Sequence, residues 1–149
     1  MRPTAIVALA LLAGACGGAA PGPASLDTRH DACAACRMAV SSRRFASQLV
    51  APGEEPRFFD DLGCLAEYVR SQRSLPAGAT AYVADHRTGE WIPAAAAVLT
   101  RVSGLETPMG SHVVAHANVA SRDADPDARG GTPVSPNTFF DGLPGGGAR

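Results

Sequence analysis

The sequence predicts an α+β chain of two small ββαβ units, the second with a reduced helix. Three observations predict it. A pair of β-rich runs, broken by Pro52-Gly53, precedes apolar residues at helical spacing: Leu62, Leu65, Ala66 and Val69. A further β-rich run, residues 80–84, follows that stripe. The second half then repeats the order strand, strand, helical stub, strand in element type, without repeating residue identity.

Taken in order, residues 44–51 carry Phe45, Leu49 and Val50 in a run suited to a strand. Pro52-Gly53 turns the chain, and Arg57-Phe58-Phe59 reads as the returning strand of a hairpin. Asp60-Asp61 supplies the N-cap of a helix that runs to about Gln72. Cys64 falls about 200° around that helix from Leu62. It therefore lies opposite the apolar stripe, in the first turn, where the helix dipole and free N–H groups favour a thiolate. Residues 80–84 close the first unit, assigned to residues 28–85. The second unit, 86–141, opens on the turn His86-Arg87-Thr88-Gly89, then Trp91-Ile92-Pro93 and a run of alanines. A strand over 98–102, a loop over 104–110 and a strand over 111–117 follow. Residues 121–129 are polar, and Pro126 limits them to a stub of helix. A last short strand falls within 132–140.

The ends lie outside both units. Residues 1–15 read as a signal peptide, with a positive charge at Arg2 and an apolar run too short to span a bilayer. Ala13-Gly14-Ala15-Cys16 resembles a bacterial lipobox, which makes Cys16 the lipidated first residue of the mature chain. The expected location is the cytoplasmic or outer membrane, facing the periplasm, with the lipid as anchor. Residues 16–27, rich in Gly, Pro and Ala, read as a flexible tether, and 142–149 as a disordered tail. A net charge of −1 argues against nucleic acid as a partner. No Ser-His-Asp set, phosphate loop or pair of general acids points to an enzyme.

With Cys16 lipidated, Cys33, Cys36 and Cys64 remain, so at least one thiol lies outside any intramolecular disulfide. The Cys33-Ala34-Ala35-Cys36 pair suits a redox dithiol, half of a zinc site, a structural disulfide or part of a soft-metal site. A structural zinc site wants four closed ligands, and no second CxxC exists. A thioredoxin-like motif opens a helix after a buried strand, whereas this one follows a tether. Met38 adds a thioether two residues on, and soft sulfur ligands select Cu(I). Met109 stands between Pro108, which fixes its own backbone, and Gly110, which frees the chain. A core filler and a ligand fit that position equally. The histidines, His30, His86, His112 and His116, read as solvent-facing. His112 and His116 lie on one strand face, about 13 Å apart, too far to share an ion. His30 lies near the cysteines and His112 near Met109, so these two keep a claim as ligands.

Five segments, in this order, resemble the NosL family of copper-binding lipoproteins that assist assembly of nitrous oxide reductase. They are Cys33-Ala-Ala-Cys36-Arg-Met38, Phe59-Asp60-Asp61-Leu62-Gly63-Cys64-Leu65, Tyr82-Val83-Ala84-Asp85, Gly89-Glu90-Trp91-Ile92-Pro93-Ala94 and Thr107-Pro108-Met109-Gly110-Ser111. The resemblance implies paired ββαβ units similar to part of the organomercurial lyases. It implies Cu(I) as cargo, delivered to the apo reductase through a membrane transporter complex. Carried over by motif, it implies Cys36, Met38, Cys64 and Met109 as ligands. Cys33, Asp60, Asp61 and His112 are further candidates, the aspartates as oxygen ligands or orienting groups. The chain departs from the family at Arg37, where Gly is usual. The reading is a membrane-anchored carrier that passes Cu(I) on by ligand exchange. Two rivals stand beside it. One is a thiol-active enzyme, for disulfide exchange or carbon–metal bond cleavage. The other is a tethered binding module whose CxxC is a structural disulfide.

Overall fold

A computed structural model describes residues 20–143. The signal segment, Cys16 and residues 144–149 lie outside the described residues.

The first half folds as β1 (Ser47–Val50), β2 (Arg57–Phe59), α1 (Leu62–Ser71) and β3 (Thr80–Ala84). A further strand, β4 (Trp91–Pro93), pairs with β3 and places Ile92 opposite Val83. The second half folds as β5 (Val98–Arg101), β6 (Val113–His116), the short helix α2 (Val119–Asp123) and β7 (Thr132–Val134). The sheets are antiparallel, in the orders β2-β1-β3-β4 and β6-β5-β7. In each, the first strand of the unit is central and the next two flank it. The repeat between the halves thus extends from element order to strand order.

The helix forms as its sequence directs. Asp61 is the N-cap, in extended backbone, and its carboxylate accepts from the Gly63 N–H at 2.7 Å. Leu62, Leu65, Ala66 and Val69 are all buried, so the apolar stripe is the face that packs. They join Leu49, Phe59, Val83 and Leu99 in one core. Each such side chain contributes roughly 1.5–3 kcal/mol on burial. Because α1 packs on β1, β2 and β6, it ties both sheets together.

Several boundaries differ from expectation for local reasons. Residues 43–45 take a 3₁₀ turn, so β1 starts at Ser47. The expected last strand ends at Val134, because Pro136, suited to a first helical position, opens the helical turn α3 (Pro136–Phe139). The segment expected to be a flexible tether is seated from Pro21 onward. The Gln48 side chain is fully buried in the central strand, and its amide needs both partners. It accepts from the Ala24 N–H at 2.7 Å and donates to the Ala24 carbonyl at 3.2 Å. The Tyr82 hydroxyl donates to the Pro21 carbonyl at 2.8 Å.

The sheets also meet where β3 ends. Asp85 bridges Ala115, and the His86 N–H donates to the Ala115 carbonyl at 2.8 Å. The buried Asp85 carboxylate accepts from the Ala117 N–H and the Ser121 hydroxyl, each at 2.8 Å. Burial acts to raise its pKa, but these bonds and the Thr88 and Arg87 N–H groups hold it below the ordinary value.

Candidate metal centre

The cysteine loop is a tight turn laid along β2. Ala32 pairs with Ala39, the Cys33 N–H donates to the Met38 carbonyl at 2.7 Å, and the Arg37 N–H donates to the Cys33 carbonyl at 2.9 Å. Closing this turn puts Arg37 at φ +68°, in the left-handed region. A side chain costs about 1–2 kcal/mol there, whereas glycine adopts it freely. That conformation explains why Gly is usual at this place in the pattern and marks Arg37 as a strained substitute. Cys33 bridges Phe58, and the Ala34 N–H donates to the Phe58 carbonyl at 2.8 Å. The loop is thereby set over the start of α1.

That placement gathers the three thiols. Sulfur atoms of Cys33, Cys36 and Cys64 and a carboxylate oxygen of Asp60 all lie within 4.8 Å of one another. Cys33 and Cys64 are buried, Cys36 is partly exposed, and none of the three is in a disulfide. Asp60, itself buried, accepts from the Cys64 thiol at 3.4 Å and from the Cys36 thiol at 3.7 Å. It comes from the residue before the helix cap, so one short segment supplies the acceptor, the cap and, a turn later, Cys64.

Cys64 departs from expectation. It is turned away from the helix stripe, but the cysteine loop covers it and it is only 4% exposed. Burial pushes its thiol strongly up, and Cys33 and Asp60 add to the shift, so the helix N-terminus does not prevail. Burial also pushes the Cys36 thiol up, against a lowering bond from the Met38 N–H; Cys33 and Asp60 add to the rise. Both are therefore thiols at neutral pH, and a metal must displace their protons to bind.

Asp61 joins two parts of the site. Its Oδ1 caps α1 at Gly63, while its Oδ2 accepts from the Thr107 hydroxyl at 2.6 Å and the Met109 N–H at 2.9 Å. One carboxylate thus holds the helix that carries Cys64 and the loop that carries Met109. Burial acts to raise its pKa, but bonds from Ser111, Thr107, Met109 and Gly63 outweigh burial and hold the group ionised. Gly63 is needed where helix and loop meet, since a Cβ there would stand 2.9 Å from the Ser111 Cβ. Thr107 and Ser111 carry no signal in the sequence for this role; only the strength of the Asp61 cap pointed to the place.

A cavity of about 550 Å³ opens beside the thiols, lined by Cys36, Cys64, Glu67, Tyr68 and Met109 among others. Met109 is 47% exposed and Met38 is 55% exposed, unusual for large apolar side chains. Met38 sits two residues beyond Cys36 on the far arm of the turn. His112 precedes β6 at φ +55° and hydrogen-bonds the Leu105 carbonyl through Nδ1 at 2.8 Å. It therefore does not share a strand face with His116. His30 is exposed and pairs with Asp27 at 2.9 Å. His86 and His116 are not solvent-facing: both are fully buried against Asp125, an acceptor too distant in sequence to be foreseen.

The donor set of three thiols, a carboxylate and a nearby thioether is soft, and suits a metal such as copper better than a hard cation. No curated protein and no solved structure matches the chain. The NosL family model matches residues 23–135, a span that takes in the cysteine loop, α1, the Met109 loop and both sheets. With its thiol cluster set beside an exposed methionine, the chain belongs to the NosL family of copper-binding accessory proteins.

Proposed function

We propose that the protein carries Cu(I) outside the cytoplasm, tethered to a membrane through lipidated Cys16, and yields it for the maturation of nitrous oxide reductase. The observation that carries this reading is the meeting of Cys33, Cys36 and Cys64 with Asp60 beside a cavity walled by Met109. Cys36, Cys64, Met38 and Met109 are the proposed copper ligands, with Cys33 behind them.

Loading follows from the protonation state. Copper approaches from the cavity, where Cys36 is the accessible thiol and Met109 the accessible thioether. As sulfur binds metal, the thiol proton leaves, and Asp60 stands at hydrogen-bond distance from Cys64 to take it. Release reverses this. An incoming sulfur or nitrogen ligand from the acceptor reaches copper through the open side, and one protein ligand departs for each that arrives. Apart from the thiol proton that leaves on loading and returns on release, only bonds to the metal change, so the protein turns over no substrate.

The test is transfer. Cu(I)-loaded protein mixed with apo nitrous oxide reductase and its membrane transporter complex is expected to raise the reductase's copper content. Protein carrying Cys36→Ser with Cys64→Ser is expected to leave it unchanged. Equal loading by both would overturn the proposal. Mass analysis of the membrane-extracted protein checks the anchor: acyl groups on Cys16 are expected, and an unmodified Cys16 would remove that part.

A further inference from the structure

We infer that His86, His116 and Asp125 form a second metal site, of nitrogen and oxygen donors, for a borderline divalent ion such as Zn(II). The site shares no residue with the thiol cluster and does not depend on the copper reading.

The three residues come from separate places: His86 from the loop after β3, His116 from the end of β6, Asp125 from the turn after α2. One nitrogen from each ring and one carboxylate oxygen lie within 4.8 Å of one another. All three side chains are at most 1% exposed. His86 Nδ1 stands 2.7 Å and His116 Nε2 stands 2.9 Å from the same atom, Asp125 Oδ2. Two imidazoles converging on one carboxylate oxygen is an arrangement that an ion replaces directly.

An ion seated there binds His86 Nδ1 and His116 Nε2, the nitrogens that face Asp125, and each ring then carries its proton on the outer nitrogen. Those outer nitrogens, His86 Nε2 and His116 Nδ1, are buried and have no hydrogen-bond partner among the described residues, with or without the ion. Asp125 and Asp127 supply negative charge beside the rings, and Arg44 pairs with Asp127 at 3.1 Å and approaches His86 Nδ1 at 3.4 Å. Imidazole with carboxylate favours Zn(II) and its neighbours, whereas the thiol cluster favours Cu(I), so one chain offers two sites of different chemistry. The ion would join the first sheet to the second where Asp85 and His86 already meet Ala115. Because the site is sealed, loading accompanies folding or a slow opening of this joint.

The experiment uses the full chain with Cys16→Ser, Cys33→Ser, Cys36→Ser and Cys64→Ser, so that thiols do not compete. It is unfolded in urea, refolded with Zn(II) or Co(II), and desalted. The expected result is one metal per chain, Co(II) visible bands without thiolate charge transfer, and a higher Tm in Zn(II). Asp125→Asn and His116→Gln, each preserving shape, are expected to weaken retention at least tenfold and abolish the Zn(II)-dependent shift. Circular dichroism checks that they fold. No retained metal in the parent, or retention unchanged by both substitutions, would overturn the inference. So would a Tm loss in Asp125→Asn that is the same with and without Zn(II), which marks a hydrogen-bonded staple.

Discussion

Asp61→Ala removes one carboxylate and strands three donors: the Gly63 N–H at 2.7 Å, the Thr107 hydroxyl at 2.6 Å and the Met109 N–H at 2.9 Å. Loss of an N-cap costs about 0.5–2 kcal/mol, and each charged hydrogen bond contributes about 1.5–3 kcal/mol. The released loop recovers water for part of this, so the expected total is about 3–4 kcal/mol. For a chain of this size that is a fall in Tm on the order of 10–15 °C. Thr107→Val loses one of the three bonds and is expected to cost about 1–2 kcal/mol. If the carboxylate truly joins helix to loop, the two changes couple, and the double variant costs about 1 kcal/mol less than the sum. Urea unfolding measures all four species. The clamp also predicts a binding phenotype: Asp61→Ala should weaken Cu(I) affinity about as much as Met109→Ala, and the double variant no further. Additive stabilities, together with full Cu(I) affinity in Asp61→Ala, would refute the clamp.

Other predictions follow from single positions. Arg37→Gly relieves the strain at φ +68° and is expected to stabilise by about 0.5–1 kcal/mol after the extra chain entropy of glycine; Arg37→Ala should not, and equal Tm values for the two would contradict the strain. Gly63→Ala gains helix propensity but drives a Cβ to 2.9 Å from Ser111, so a net loss of about 1–2 kcal/mol is expected; a rise in Tm would show that the loop yields freely. Asp61 sits below its ordinary 3.8 in the folded state, so the unfolded chain binds the proton more readily. Its contribution is therefore complete above that value and lost as the pH falls through the folded pKa. Asp61→Asn should flatten stability over that acid range, and an unchanged acid slope would count against the bonds to Thr107 and Met109.

Local patterns made much of this fold legible. The stripe of Leu62, Leu65, Ala66 and Val69 identified α1 and its buried face, and the Asp60-Asp61 pair located its start, since both signals are contained within one helix. Cys36 and Cys64 were legible as partners through motif order, and the structure brings them together with Cys33 and Asp60. What could not be read depends on pairs distant along the chain. Periodicity places Cys64 away from the stripe, yet says nothing of the loop that covers it from Cys33 to Cys36. His86 and His116 look polar and exposed until Asp125 is folded against them. Arg37 was anomalous in sequence and became intelligible only through a backbone angle. Asp61 is a candidate through the motif alone, and only the fold shows its oxygens accepting from Gly63, Thr107 and Met109.

The central claim is that the clustered sulfur atoms bind Cu(I), and anaerobic titration against a chromophoric Cu(I) chelator tests it most directly. The parent chain with Cys16→Ser is expected to compete successfully for one Cu(I). Cys36→Ser and Cys64→Ser should each weaken binding at least a hundredfold, and Met38→Ala and Met109→Ala roughly tenfold each. Binding no tighter than the chelator, or affinity indifferent to both cysteine changes, would contradict the claim.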